Sequence, residues 1–395
     1  MDTGLGNGAR SDSARTATVP WALPDPTEVA RTPLGLYVHV PFCARRCGYC
    51  AFNTVALADP GGAAAHDALE RWVDAAVAEV ALAADVLADG SPPLTSVFVG
   101  GGTPTMLTPR QLTRVLSAVR ERFAVQPDLE VTVESNPDGL APGQLGALAD
   151  AGVTRVSFGM QSVRRRVLAL LDRTHDPERS LAAVGEARAA GLAHVSLDLI
   201  YGTPGETAED WRATLDAVCA TDVDHVSAYA LGIEPGTKLA ARVRRGELPT
   251  PDDDEAADRY LVADELLSAA GFDWYEISNW ARSPEARCRH NLLYWRNHNW
   301  WGIGPGAHSH LSGTRWWNVD PVEQWSDALL DGAAPAAHVA GFEHLDDEQR
   351  RLEDLMLGVR LAEGLALEGR HGHRLVLTPR GRLLADAVVT RLSAE

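Results

Sequence analysis

The chain has 395 residues, 45% of them hydrophobic, enough for one large or two ordinary globular domains with a buried core. Its 54 acidic against 36 basic side chains leave a formal charge of −18, which repels phosphate backbones and anionic lipid and argues against a nucleic-acid partner. Five cysteines make no disulfide framework, and no apolar run is long and uncharged enough to cross a bilayer, so the protein is not expected to be integral to a membrane.

Residues 1–32 are rich in Gly, Ala, Ser, Thr, Pro and Asp and lack the apolar stretch of a signal peptide. They read as a disordered leader on a cytoplasmic protein. From residue 33 the chain alternates short β-branched runs with helical periods. Strands are predicted at Gly35–Val40, Ser96–Val99, Glu130–Val133, Arg155–Phe158, His194–Leu199 and His225–Tyr229. Between them lie helices at about His66–Ala88, Pro109–Phe123, Pro142–Ala151, Pro177–Ala190 and Ala208–Thr221. In the second of these, Leu112, Val115, Leu116, Val119 and Phe123 form one apolar face, and Thr108 before Pro109 is a good N-cap. Strand–helix units in series predict a parallel sheet with right-handed crossovers. Unusual residues follow every strand, which suits strand ends converging on one mouth. The expectation is an α/β fold, a partial (β/α)6 barrel of TIM type over residues 33–232. Residues 233–325 read as an aromatic-rich α/β extension, since eight of the eleven tryptophans fall between Trp274 and Trp325. Residues 326–395 read as a small, mostly α C-terminal region, with a helix near Leu345–Leu361.

Three of the five cysteines, Cys43, Cys47 and Cys50, crowd into the loop after the first strand, at spacings of four and three. Such clustering points to metal or redox chemistry. A structural zinc site takes four closed ligands, and iron–sulfur clusters usually take four cysteines; no local fourth is evident. Three thiolates around a cluster leave one iron open for a small molecule. Zinc or unrelated thiols are the plainer alternative.

Cys-x3-Cys-x2-Cys after a first strand, with aromatic Tyr49 just before the last cysteine, resembles the radical S-adenosylmethionine superfamily. The runs Leu36–Cys43, Gly100–Thr105, Glu134–Pro137 and Asp198–Gly205 are similar to those of the oxygen-independent coproporphyrinogen III oxidase group, over roughly Leu34 to Leu311. The resemblance implies that Cys43, Cys47 and Cys50 hold a [4Fe–4S] cluster whose open iron takes the amino and carboxylate groups of S-adenosylmethionine, with an electron donor reducing the cluster. It implies cofactor contacts from Tyr37, Tyr49, Gly101, Gly102, Thr103, Glu134, Gln161, Arg173 and Asp198. Their chemistry agrees: glycines admit close backbone approach, Glu134 and Asp198 suit an ammonium or ribose hydroxyls, and Arg173 suits a carboxylate. No residue is singled out as catalytic.

Two branches share this core. The decarboxylating oxidases carry a fourth cysteine two positions after the third and a longer N-terminal arm; this chain has Phe52 there and about thirty residues before the first strand. The other branch, the HemW-type heme chaperones, has a signature resembling His290-Asn291-Leu292-Leu293-Tyr294-Trp295. That likeness implies heme as bound cargo, contacted by His290, Asn291, Tyr294 and Trp295, and handed to an acceptor hemoprotein. The tryptophan-rich segment is then expected to form a porphyrin platform, with histidine a candidate axial ligand. The alternative is an oxygen-independent coproporphyrinogen III dehydrogenase of porphyrin biosynthesis. Relatives also continue through a winged-helix-like domain before a Leu-Thr-Pro-x-Gly stretch, here Leu377–Gly381, and in this chain that domain looks shortened.

Overall fold

Alternation decides the architecture. On β1 (Leu34–Val40), Leu36, Val38 and Val40 are fully buried in the main core while Tyr37 and His39 face the other way. In the computed structural model, which describes residues 24–87, 90–331, 336–366 and 373–393, this pattern recurs on every central strand. Most of the expected leader and residues 367–372 lie outside those limits. Residues 26–30, placed in the leader by the sequence, form α1 (Pro26–Ala30), because Asp25 caps the helix and Val29 is buried. The Val29 carbonyl accepts a hydrogen bond from Asn299 at 3.2 Å.

After β1 the cysteine loop is bracketed by β2 (Phe42–Cys43) and β3 (Val55–Ala56), which pair in parallel. Then α2 (Ala63–Leu87), β4 (Leu94–Gly101), α3 (Pro109–Arg122), β5 (Val125–Ser135), α4 (Gln144–Asp150) and β6 (Arg155–Gln161) follow. Next come α5 (Arg165–Leu170), α6 (Pro177–Ala189), β7 (His194–Tyr201), α7 (Ala208–Cys219) and β8 (His225–Ala230). The expected caps are present: Thr108 and Gln111 form a reciprocal box at α3, as do Thr207 and Asp210 at α7. β1, β4, β5, β6, β7 and β8 lie side by side in chain order, all parallel. The sheet curls into the partial barrel that the repeat predicts. Its outward positions, such as Val97, Val131, Val156, Leu197 and Val226, pack under the helices. Its inward positions are mostly polar: Thr132 and Glu134, Ser157 and Gln161, Ser196 and Asp198, His225 and Ser227.

The chain after β8 completes both edges of this sheet. Past α8 (Lys238–Arg244) and α9 (Asp253–Ala269), β9 (Asp273–Glu276) and β10 (Asn279–Ala281) add antiparallel strands beside β8. α10 (Arg289–Trp295) follows, and β11 (Asn299–Ile303) then pairs in parallel with the far side of β1. β12 (His308–Leu311) and β13 (Thr314–Asn318), then α11 (Val322–Leu330) and β14 (Val339–His344), bring the sheet to twelve strands. The C-terminal region has α12 (Asp347–Gly358), the pair β15 (Leu365–Ala366) and β16 (Arg374–Leu375), α13 (Pro379–Leu383) and α14 (Ala385–Leu392). Val359, Leu377, Ala385 and Val389 form its own small core. No helix among the described residues is long and apolar enough to cross a membrane.

Candidate functional site

The polar inner positions surround a cavity of about 650 Å³ with the cysteine loop at its mouth. Cys43 is 8% exposed and Cys47 and Cys50 are half-buried, all three on the cavity wall. The loop is fixed against the end of β4, where Gly102 N donates to Val40 O at 2.7 Å and Thr103 N to Phe42 O at 2.8 Å. This approach needs glycine. A Cβ on Gly102 would lie 2.6 Å from Phe42 O and 3.0 Å from Cys43 Sγ, and Gly101 has a φ of +110°.

Polar groups then reach the sulfurs. Thr103 Oγ1 lies 3.8 Å from Cys43 Sγ and accepts from Asn136 Nδ2 at 3.0 Å. Arg173 donates from Nη1 to Cys47 Sγ at 3.5 Å and from Nη2 to Gly159 O at 2.6 Å. Burial pushes the Cys43 thiol up to about 11, so an electropositive partner is needed to hold it as thiolate. Among the described residues no three His, Cys, Asp or Glu side chains converge on a point where one metal ion could sit. Thiolates that each bind a separate iron of a cluster have no need to converge. The exposed rim, the glycine cradle and the cationic neighbour therefore fit a cluster with an adjoining ligand better than a closed four-ligand zinc.

Deeper in, Glu134 accepts from Gly101 N at 3.1 Å, and Asp198 accepts from Ser157 Oγ at 2.9 Å. Burial raises Glu134 to about 8, with Asp198 adding repulsion, and burial raises Asp198 to about 6 against its hydroxyl partners Ser227 and Ser157. Two desolvated carboxyls facing one cavity favour a cationic or hydroxyl-bearing ligand, which relieves both. Gln161, Arg173, Thr103 and Tyr49 share this cavity. Gln161 holds a left-handed φ of 64°, a strained position for a non-glycine. Tyr37 is not on the cavity wall; its hydroxyl pairs with His39 Nδ1 at 2.9 Å.

The His290–Trp295 segment is α10, and it plugs the inside of the sheet next to β1 and β4. Gly35 leaves the room: a Cβ there would lie 2.4 Å from Leu293 and 3.1 Å from His290. His290 is 1% exposed, stacks on Phe98 at 5.3 Å, and has both ring nitrogens engaged, Nδ1 with Ser96 Oγ at 2.9 Å and Nε2 with Tyr294 OH at 2.8 Å. Its burial lowers its pKa to about 3, so it stays neutral. Asn291 alone of the motif lines the cavity, and it also bonds the buried Glu276 carboxyl together with Trp295. The tryptophans do not form one open platform. Trp280 on β10 and Trp325 on α11 are completely buried, and so are Trp301 and Trp316, whose neighbours on β11 and β13 alternate to the other face.

Sequence reading missed two groups. The first backs the cysteine loop. Glu79 on α2 accepts from Gly304 N at 2.7 Å, Asn318 Nδ2 at 2.7 Å and Trp325 Nε1 at 3.0 Å. The Gly304–Gly306 turn it pins receives Asn53 Nδ2 on Pro305 O at 3.1 Å, and Asn53 O in turn pairs with His39 Nε2 at 2.8 Å. The second is a polar floor, opposite the cysteines, of Arg155, Glu130, His225, Cys288 and Tyr275. Arg155 Nη2 donates to Glu130 Oε2 at 3.1 Å, and His225 Nε2 pairs with Tyr275 OH at 2.8 Å. Polar residues at every second position of otherwise apolar strands were the available signal for the floor.

Comparison with known proteins agrees with this geometry. The family model "Radical SAM superfamily" matches residues 37–218. The chain is 50% identical over 392 residues to the heme chaperone HemW of Mycobacterium tuberculosis H37Rv, covering 94% of this chain and 98% of that protein. It is 32% identical to the heme chaperone HemW of Bacillus subtilis, with 84% of each chain covered. The solved coproporphyrinogen III oxidase HemN of Escherichia coli superposes with a TM-score of 0.78 over 92% of this chain and 91% of that one, at 23% identity. That last likeness is one of fold.

Proposed function

The chain belongs to the heme chaperone HemW family within the radical SAM superfamily, and on that premise we propose that it is a cytoplasmic heme chaperone that carries a [4Fe–4S] cluster and S-adenosylmethionine and passes heme to an acceptor hemoprotein. The observation that carries the reading is half-identity along almost the whole chain to a protein of that name. Phe52, 64% exposed where the oxidase branch has a further cysteine, points the same way.

In this proposal Cys43, Cys47 and Cys50 hold the cluster. Gly101 and Gly102 admit the cofactor's methionyl end, Arg173 takes its carboxylate, and Glu134 and Asp198 take its ammonium and ribose hydroxyls. Tyr49, Thr103 and Gln161, on the cavity wall, fix its position, and Tyr37, off that wall, reaches it only after its hydroxyl leaves His39. When bound and reduced by an electron donor, the pair supplies one-electron chemistry. Heme contact by His290, Asn291, Tyr294 and Trp295 belongs to the same proposal. For His290 it carries a condition, since both imidazole nitrogens are engaged: the imidazole reaches an iron only after Ser96 and Tyr294 release it.

The test is anaerobic reconstitution with iron and sulfide, followed by a heme titration by absorption and a coproporphyrinogen turnover assay with S-adenosylmethionine. Saturable heme binding and transfer to an apo-hemoprotein, without decarboxylation, is the expected result. Decarboxylation without heme binding refutes it in favour of the oxidase.

A further inference from the structure

The floor of the barrel holds a feature that neither the cysteine loop nor the heme motif uses. Arg155, the first residue of β6, is 1% exposed and lines the cavity. Only one of its three nitrogens is satisfied: Nη2 donates to Glu130 Oε2 and to Arg287 O, each at 3.1 Å. Nε and Nη1 have no acceptor among the described residues, and neither has Thr132 Oγ1, on the next strand and lining the same cavity.

The neighbours cannot supply the missing acceptor. His225 is engaged through Nδ1 with Ser196 Oγ at 2.7 Å and through Nε2 with Tyr275 OH. The Cys288 thiol lies 3.6 Å from Glu130 Oε1, to which His290 N also donates, so both oxygens of that carboxylate are already engaged. Buried polar groups in native proteins are almost always paired, and a guanidinium with free N–H groups on a cavity wall is the usual receptor for a carboxylate. Arg155 sits one step deeper in the barrel than the nearest proposed cofactor contacts, two residues or about 7 Å before Ser157, which pairs with Glu134 and holds Asp198. With a rise of about 3.3 Å per residue, six positions separate it from Gln161 by about 20 Å along β6.

We propose that the barrel floor is a second ligand subsite, in which Arg155 Nε and Nη1, with the Thr132 hydroxyl beside them, bind the carboxylate of an organic ligand. The carboxylate belongs either to a small free acid or to an acid side arm of a larger ligand whose body lies nearer the cysteines. This does not depend on the heme reading, because it rests on groups that are unpaired whatever the cargo.

The test uses propionate as probe on the anaerobically purified full-length protein, with binding followed by ligand-observed NMR. Saturable binding of about millimolar strength is expected for so small a ligand. Arg155→Gln should weaken it about tenfold or more, the loss of charged hydrogen bonds, and Thr132→Val by a few-fold. Arg110→Gln, an exposed cation on α3 away from the cavity, should leave it within about twofold.

Heme and its dimethyl ester, tested as competitors, distinguish the two sources. Displacement by heme and not by the ester assigns the carboxylate to a tetrapyrrole arm, and displacement by neither assigns it to a free acid. No saturable binding to the wild type overturns the proposal, as does undiminished affinity in folded Arg155→Gln, or chloride displacing propionate as readily as acetate, added as a carboxylate competitor, does. If Arg155→Gln does not fold, Thr132→Val decides, because it leaves the Arg155–Glu130 pair intact, and unchanged affinity there overturns the proposal.

Discussion

Glu79→Gln tests whether a carboxyl far from the cysteines governs the scaffold behind them. Burial raises Glu79 from 4.5 to about 7 against the three donors that hold it. A carboxyl whose folded pKa lies above its unfolded value contributes stability that is fully present below 4.5 and is lost as pH rises through about 7. Integrated between pH 5 and pH 8, that shift removes about 2.5 kcal/mol from the wild type. Glutamine does not titrate, so the variant lacks this slope. It also loses one of the acceptor oxygens that serve Gly304, Asn318 and Trp325, a deficit of about 1–3 kcal/mol at pH 5. The variant should therefore be the less stable protein at pH 5, and the gap should close or reverse by pH 8. Urea unfolding of both proteins at the two pH values measures the double difference, in which other titrating groups cancel. A double difference below about 0.5 kcal/mol would show that Glu79 does not titrate in this window, and the argument from its burial would fail.

Three further outcomes follow from the same structure. Gly102→Ala brings a Cβ within 2.6 Å of backbone oxygen, and should lower stability by about 1–3 kcal/mol and reduce iron incorporation; wild-type iron content and melting temperature would contradict the close-approach argument. Removing the imidazole in His290→Ala leaves a hole beside Gly35 and Phe98 and frees Ser96 and Tyr294, a loss of about 2–4 kcal/mol by denaturant unfolding, whereas a neutral result would mean that α10 is no plug. Single replacement of Cys43, Cys47 or Cys50 by alanine should abolish the visible absorption of the reconstituted protein, and its retention in all three variants would remove the basis of the cofactor assignment.

The central sheet was legible because β-branched residues recur at a fixed spacing and every predicted strand coincides with part of an observed one. Boundaries were not: β5 begins at Val125, five residues before the predicted start, since Gln126, Pro127 and Asp128 are exposed and none has the β-branched side chain that marks a strand. β9 to β14 escaped notice because they are three to six residues long and are defined by distant pairing, β10 joining β8 and β11 joining β1 with the others added outside them. The tryptophans show why local composition misleads. Trp300 and Trp301 are adjacent in sequence, yet Trp301 packs on Trp316 in the core while Trp300 meets Tyr294 and His310 on the other face. The cysteine loop and the glycines that face it were legible, because there spacing itself carries the chemistry. Arg155 read only as the start of a strand, and its surroundings come from residues as distant as Tyr275 and Cys288.

The placement of β1 has a consequence for how the protein matures. The strand that launches the cysteine loop is flanked by β4 on one side and by β11 on the other, and Asn53 reaches across 252 residues to Pro305. Contacts of such sequence separation form late, after the entropy of closing a long loop has been overcome. During synthesis the three cysteines leave the ribosome early, yet their strand keeps an open edge until residue 303 has followed them. The loop therefore acquires its final backing only when three-quarters of the chain is available. The scaffold behind the cysteine loop is accordingly a late product of folding rather than a nucleus around which the barrel assembles.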